Sequence, residues 1–102
     1  MFSPPVPDLN DHGDVLVGGR ADVILRTRVA ALVYRHGNHV VNVFIWPADA
    51  APLRPLRGDI DGFHILGGTV EGFRIALVSD LNPEELAAFR DRWAAAANQA
   101  AH

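Results

Sequence analysis

The sequence predicts an α+β domain, an antiparallel meander of about five strands with one C-terminal α-helix packed on the sheet. Two hairpin patterns predict the sheet, and a capped, amphipathic pattern at the end of the chain predicts the helix. The 102 residues fit a single domain spanning 1–102. Within it we expect an extended Pro-rich arm at 1–13, the antiparallel sheet at 14–80 and the helix at 82–100.

The N-terminal segment predicts the arm and the first strand. Its first 13 residues hold three prolines, then Asp, Asn and Gly. Proline fixes φ and removes an amide donor, so an extended arm is expected rather than a helix. The run Val15–Arg20 places apolar residues before Gly18 and Gly19, a pattern typical of a strand end or a β-bulge.

The clearest local pattern is a hairpin between Thr27 and Trp46. β-branched and aromatic residues fill Val29–Arg35 and Val40–Trp46. A Gly-Asn pair lies between these runs and predicts a two-residue turn. The facing pairs in that register are His36 with His39, Tyr34 with Val41, Leu32 with Val43 and Ala30 with Ile45.

Both faces of this hairpin are largely apolar. A sheet exposed on one side alternates more clearly between apolar and polar residues. We therefore expect cover on both sides, from the helix on one and from the arm or a partner on the other. The candidate interaction surface on the second face consists of Phe44, Trp46, Arg35 and Asn42.

The remaining sheet follows a proline-rich stretch. Pro47–Asp59 contains Pro52, Pro55 and Gly58 and predicts a loop. Beyond it, Phe63–Thr69 and Phe73–Ser79 predict a second hairpin that turns near Glu71-Gly72.

The helix has signals at its start and along one face. Asn82 is the expected N-cap, Pro83 occupies the first helical position, and Glu85 follows three residues after the cap. Leu81 and Leu86 are spaced as a hydrophobic staple. The apolar stripe at helical spacing consists of Leu86, Phe89, Trp93, Ala97 and Ala100.

Composition restricts the classes of function. The net charge is −3, all nine basic residues are Arg, and none form a run, so nucleic-acid binding is not expected. The absence of cysteine excludes disulfides, thiol catalysis and Cys–zinc sites. No apolar run approaches the roughly 20 residues of a membrane span. The N-terminus lacks signal-peptide features, so we expect a domain boundary just before Phe2.

Histidines are the candidate metal ligands, with His36, His39 and His64 as weak candidates and His12 beside them. His36 and His39 flank the predicted turn, so their side chains lie close together. A zinc site needs three or four ligands, and no HExxH pattern is present. A solvated turn is the simpler interpretation, and no cofactor is predicted. A pH or metal sensor built on these histidines is a further hypothesis.

Nothing in the sequence predicts catalysis. Ser3 and Ser79 are the two serines, and no GxSxG pattern surrounds either. Ser79-Asp80 lies at a strand-to-helix turn, where active sites occur, but Asn82 and its neighbours also satisfy the free amides of the helix start. The chain is therefore not expected to be an enzyme.

An ordered series of segments resembles one family. The segments are Phe2–Leu9 (FSPPVPDL), Leu16–Arg20 (LVGGR), Ala30–Arg35 (AALVYR), His39–Pro47 (HVVNVFIWP) and Val78–Asn82 (VSDLN). Over residues 2–90 the chain resembles the C-terminal extracytoplasmic region of bacterial transmembrane anti-sigma factors that partner extracytoplasmic-function sigma factors. One departure is Gly68, near which the family pattern has an aromatic residue.

The resemblance implies a signal-sensing or interaction domain on the periplasmic side of the inner membrane. It implies sigma-factor binding through an N-terminal cytoplasmic domain and membrane attachment through a transmembrane helix, neither of which the given sequence contains. A homo-oligomer is a further candidate assembly. The alternative is a small free-standing ligand-binding or metal-binding α+β protein.

Overall fold

The computed structural model describes residues 4–10, 13–24, 27–49, 57–60, 62–70 and 72–100. Its elements are β1 (Asp14–Ile24), β2 (Thr27–His36), β3 (His39–Pro47), β4 (Arg57–Ile60), β5 (Phe63–Val70), β6 (Phe73–Ser79) and α1 (Pro83–Ala100). The helix packs on β5 and β6. The predicted fold class, an antiparallel sheet with one C-terminal helix on it, is confirmed.

The described strands form one antiparallel sheet in the order β1-β2-β3-β6-β5-β4. The sheet consists of two three-stranded meanders, β1 to β3 and β4 to β6, joined where β3 pairs with β6. The join places the ends of the two meanders at the centre of the sheet and leaves β1 and β4 at its edges. Local hairpin signals therefore give the central pair of each meander, β2–β3 and β5–β6, and the backbone pairing of β3 with β6 joins the two meanders into one sheet.

Both predicted hairpins are confirmed. β2 and β3 pair in the predicted register, from His36 opposite His39 to Ala30 opposite Ile45. Gly37 has φ 61°, the left-handed conformation that the two-residue turn requires and glycine adopts without strain. β5 and β6 turn at Gly72, with φ 80°; Glu71 lies outside the described residues.

The predicted bulge in β1 is confirmed by a register shift between Leu16 and Gly18. The strand does not end at its two glycines. It continues to Ile24, opposite Thr27. β1 is consequently longer than its short apolar run suggests, because pairing with β2 supplies the order that local sequence does not.

The predicted loop Pro47–Asp59 needs a correction at each end. Pro47 is the last residue of β3, and Arg57–Asp59 belong to β4, which brings the strand count to six. Among the described strands β4 pairs with β5, and Gly58 and the charged residues around it carry little strand propensity. Tertiary pairing therefore outweighs composition here. Residues 50–56 lie outside the described part of the chain.

The helix signals are confirmed at its N-terminus. The Glu85 amide donates to Asn82 Oδ1 at 2.8 Å, so Asn82 is the N-cap. Leu81 and Leu86 are both buried, as a hydrophobic staple requires. Within the described ranges, no helix combines the length and apolar character needed to cross a bilayer.

The core lies between the helix and one face of the sheet. Its buried side chains come from the arm, from strands of both meanders and from α1: Leu9, Ala30, Leu32, Tyr34, Val41, Val43, Ile45, Val70, Ile75, Leu77, Leu81, Leu86, Phe89, Trp93 and Ala97. Leu9 places the arm on this same face. The described part of the arm therefore lies on the helix-covered face of the sheet, so the expectation that the arm covers the opposite face of the hairpin is wrong for these residues.

The arm joins β1 through a tight turn. The Asn10 amide donates to Asp8 Oδ1 at 2.9 Å, and the Gly13 amide donates to the Asn10 carbonyl at 3.0 Å. The Asp14 amide donates to the Leu9 carbonyl at 3.2 Å. These bonds fold the described part of the arm back over the sheet, so that Leu9 reaches the core.

Candidate functional site

Tyr34 is the meeting point of the arm, the sheet and the helix. Its hydroxyl donates to the Pro7 carbonyl at 2.8 Å and accepts from Trp93 Nε1 at 3.1 Å. Phe89 packs edge-on against the Tyr34 ring, with the ring centroids 5.5 Å apart. One buried side chain on β2 thus ties the arm to α1.

Burial controls the chemistry of this hydroxyl. It raises the pKa of Tyr34 from 10.0 to about 12, and the Asp8 and Asp14 carboxylates add to the rise. The hydrogen bond from Trp93 acts in the opposite direction. At neutral pH the hydroxyl keeps its proton and donates it in the hydrogen bond to the Pro7 carbonyl, which makes Tyr34 a structural link rather than an acid or base.

A buried carboxylate lies beside this link. Asp14 is fully buried and accepts from His36 Nδ1 at 2.5 Å and from Arg92 Nη2 at 3.0 Å. The Arg92 guanidinium also lies over the Phe89 ring, 5.7 Å from its centroid. Since a buried charge needs partners, Asp14 joins β1, β2 and α1 through one ion cluster.

A second histidine–aspartate pair lies at the same turn and is exposed. His39 Nδ1 donates to Asp80 Oδ1 at 2.9 Å, and both side chains are about half exposed. The pair links the start of β3 to the end of β6. Water screens such a pair, so it contributes little to stability.

The histidines singled out from the sequence do not converge. His36 and His39 face each other across the turn, but each ring binds its own aspartate through Nδ1. His64 lies on β5 opposite Ser79, so β6 separates it from β3. In the ranges that the structure describes, no three His, Asp or Glu side chains gather as a metal site would require. His12 falls outside those ranges.

Ser79 serves the strand-to-helix turn. Its hydroxyl donates to the Val40 carbonyl at 2.7 Å and accepts from the Leu81 amide at 3.2 Å. The side chain is fully buried. A nucleophile needs a base and access to substrate, and here both hydrogen-bonding roles of the hydroxyl are taken by backbone groups. Ser3 lies outside the described residues.

An apolar groove of about 600 Å³ lies over β1 and β2, beside the arm. It lies on the helix-covered face, where α1 does not extend to the sheet edge. The lining is almost wholly apolar: Pro4, Val6, Leu16, Gly18, Gly19, Arg20, Ala21, Ala30 and Leu32. Arg20 is the charged residue among them, and its strand position, opposite Ala31, directs its side chain to the other face of the sheet. Its volume falls within the range of small-molecule sites.

The candidate interaction residues on the second face differ in exposure. Arg35 is exposed, Asn42 and Phe44 are half-buried, and Trp46 is fully buried. Trp46 packs with Val29 in a small cluster on this face. The four residues share the face as the register predicts, but Trp46 lies beneath the surface that the others form.

Gly68, where the sequence differs from the family pattern, lies directly beneath the Arg90 side chain. A Cβ at Gly68 meets Arg90 Cδ at 3.0 Å and Ile75 Cγ1 at 3.3 Å, so the Arg90 side chain occupies the space over this glycine. Arg90 Nη1 also donates to the Gly67 carbonyl at 3.3 Å. A hollow of about 280 Å³ lies at the same place. An aromatic residue at Gly68 requires Arg90 to move away.

Sequence reasoning missed the most highly connected polar groups, Asp14, Arg92 and the Tyr34 hydroxyl. The sequence places Asp14 at the first position of the predicted sheet, and Arg92 on the helix face opposite the apolar stripe. Only the β1–β2 pairing and the packing of α1 bring them together. A weak signal was present, because Tyr34 is a polar residue that follows the apolar Ala30 and Leu32 on the same strand face.

Comparison of the chain with protein-family models, with curated proteins and with solved structures finds no match. The fold and the contacts above therefore carry the functional argument. They define an antiparallel α+β domain with a core-anchored arm, an open apolar groove and polar groups engaged in structural bonds.

Proposed function

We propose that the chain is the extracytoplasmic signal-sensing or interaction domain of a membrane-bound anti-sigma factor, a regulator of transcription that acts without catalysis. The observation that carries the proposal is the anchoring of the arm. Leu9 is buried in the core, and the Pro7 carbonyl accepts from Tyr34. In the family that the chain resembles, the membrane helix precedes this region, so the arm is the segment that links the domain to the membrane.

The anchoring gives the domain a route for a signal. Tyr34 links the arm to Trp93 on α1, and Asp14 links the start of β1 to Arg92 on the same helix. A partner or ligand that shifts the helix or the β1–β2 edge also changes how firmly the arm is held. Such coupling needs a two-state element, and the hydrogen-bonded arm is suited to be one.

The use of the polar groups supports recognition rather than turnover. The buried Asp14, Ser79 and Tyr34 each bond to two groups of the fold. An active site keeps its reactive groups directed at a substrate. In this proposal the sigma factor binds the cytoplasmic domain, the membrane helix anchors the protein, and this domain lies on the periplasmic side.

The test uses the native protein, expressed from its chromosomal gene with a tag added at the end of this domain. We expect a polypeptide larger than 11.1 kDa in the membrane fraction, which copurifies with a sigma factor. Leu9→Asp places a charge at a buried arm position and should change sigma-dependent transcription. Val6→Asp is the matched control, since Val6 is 51% exposed in the same arm. A tagged polypeptide of 11.1 kDa without a sigma factor contradicts the proposal.

The groove favours a second candidate, a free-standing protein that binds an apolar ligand. Ala21 lines the groove, whereas the adjacent Asp22 points to the other face. An apolar dye such as anilinonaphthalene sulfonate should bind with one-site saturation and lose affinity in Ala21→Trp but not in Asp22→Trp. Unsaturable binding, or equal loss in both variants, counts against a ligand site.

A further inference from the structure

The edge of the sheet at β1 carries a self-complementary pattern. Among the residues that the structure describes, β1 pairs with β2 on one side, and beyond the Leu9–Asp14 bridge at its start its other side presents a row of backbone donors and acceptors. After the bulge, residues 18–24 pair with β2 without interruption. A straight, unbroken edge of this kind can accept another strand. Proteins commonly block such edges with charge or proline, and this segment has no proline.

Two charges on this segment are exposed and of opposite sign. The side chains of Arg20 and Asp22 are 68% and 53% exposed. They lie opposite Ala31 and Val29, which places both on the face away from the helix. Arg20 Nε and Asp22 Oδ2 lie 3.9 Å apart, the outer limit of an ion pair, so these two charges engage each other only weakly. The second carboxylate oxygen, Asp22 Oδ1, accepts from the Val23 amide at 2.8 Å, a local bond that must open where a second strand takes up this amide.

Symmetry limits the registers in which this edge can pair with itself. A two-fold axis perpendicular to the sheet relates antiparallel strands so that one central residue lies opposite its own copy. A centre at residue 20 places Arg20 opposite Arg20, and a centre at residue 22 places Asp22 opposite Asp22. A centre at Ala21 places Arg20 opposite Asp22 of the second copy, twice. Like charges directly opposite are destabilising, whereas opposite charges stabilise.

We propose that the β1 edge pairs antiparallel with the β1 edge of a second copy of this chain, about a two-fold axis through Ala21. The pairing extends the sheet across two copies and covers the β1 edge of each. It goes beyond the sensing function proposed above and does not depend on it, since it follows from the strand edge alone.

The helix-covered face of the same register is also complementary. Val23, 63% exposed, lies opposite Gly19 of the second copy. Gly19 has no side chain, and Leu32 Cδ2 lies 3.1 Å from the position of its missing Cβ. The valine therefore contacts Leu32 at the rim of the groove. One strand pair buries less than a standard interface, so we expect a weak, reversible dimer in the micromolar to millimolar range.

A charge-reversal cycle tests the register. The wild-type chain should dimerise with concentration in sedimentation equilibrium. Arg20→Asp and Asp22→Arg each place like charges opposite one another and should weaken dimerisation about tenfold or more. The double variant Arg20→Asp/Asp22→Arg restores opposite pairs and should recover the wild-type affinity. A wild-type chain that stays monomeric at millimolar concentration, or a dimer unaffected by the cycle, overturns the proposal.

Cysteine crosslinking tests the axis independently, because the chain has no cysteine of its own. Ala21→Cys places two thiols opposite each other and should oxidise to a covalent dimer. Val17→Cys is the control, since Val17 is exposed on the same strand but lies far from its own copy in this register. Equal crosslinking of both variants, or faster crosslinking of Val17→Cys, contradicts an axis at Ala21. Circular dichroism confirms that each variant is folded.

Discussion

The two halves of the core-facing sheet surface are closed in different ways. Over β3, β6 and β5, apolar helix residues such as Phe89, Trp93 and Ala97 seal the core. Over β1 and β2, an arm with one buried leucine lies beside an open groove. Two polar links also hold this side together, one from Tyr34 to Pro7 and one from Asp14 to Arg92. We call these the helix half and the arm half.

The difference follows from dimensions. An α-helix with its side chains is about 10 Å across, whereas six strands spaced about 4.8 Å apart span about 24 Å. One helix therefore covers two or three strands, and α1 packs on β5 and β6. A sheet wider than its helix needs another segment at its far side, or a site remains open. This chain has both the arm and the groove.

The largest expected effect tests the apolar closure of the helix half. Trp93→Ala removes a fully buried indole and its hydrogen bond to Tyr34. We expect the free energy of unfolding to fall by about 3–5 kcal/mol, measured by urea denaturation followed by circular dichroism. Trp93→Phe is the control, and its free energy of unfolding should fall by less because it keeps an aromatic ring in the core. A cost below about 1 kcal/mol for Trp93→Ala would show that the helix is not packed as described.

The second effect tests the polar closure of the arm half. Asp14→Ala leaves the Arg92 guanidinium and the His36 ring without their shared carboxylate. Because Asp14 is fully buried, we expect a loss of about 3 kcal/mol in the free energy of unfolding. Asp14→Asn keeps the shape of the side chain without its charge, so we expect a smaller loss in the free energy of unfolding. Two variants as stable as wild type would disprove the role of the cluster.

The third effect concerns the link between the halves. Tyr34→Phe leaves Trp93 Nε1 and the Pro7 carbonyl without their partner, and should lower the free energy of unfolding by about 1–2 kcal/mol at neutral pH. Denaturation by urea measures the loss. Limited proteolysis should show earlier cleavage in the arm than in wild type. Cleavage of the arm at the wild-type rate would show that the Tyr34 hydroxyl does not hold the arm in place.

The same link predicts a dependence on alkaline pH. The folded pKa of Tyr34, about 12, lies above the ordinary 10.0. The stabilisation is therefore complete below pH 10.0 and is lost as the pH rises toward 12, because the unfolded chain gives up the proton more readily. The chain has one tyrosine, so tyrosinate absorbance reports this group alone. A titration midpoint at 10.0 would contradict a buried hydroxyl.

The smallest effect sharpens the contrast between the two histidine–aspartate pairs. Asp80→Ala breaks the exposed pair with His39. Water screens that pair, so we expect a change below about 0.5 kcal/mol, against about 3 kcal/mol for Asp14→Ala. Both variants are compared in the same denaturation series. Equal losses would mean that burial does not separate the two pairs.

Elements with local signals could be predicted, and sites that depend on distant contacts could not. The Gly37 turn and the Asn82 cap involve residues within a few positions of each other, and both are confirmed. β4 lacks strand propensity and forms only because β5 pairs with it. Asp14 meets Arg92 across 78 positions of sequence, so no local pattern could reveal their ion pair.

The sequence by itself determined the α+β class, the two hairpins and the capped helix, and it offered the β1 bulge as one of two alternatives. Each depends on short-range rules, namely φ at glycine, side-chain alternation and the satisfaction of helix-end amides. Tertiary structure alone decided the β3–β6 join, the position of the arm beside the helix, the burial of Asp14 and the open groove. These depend on which apolar faces meet and how wide they are, and chain segments far apart in sequence settle that together.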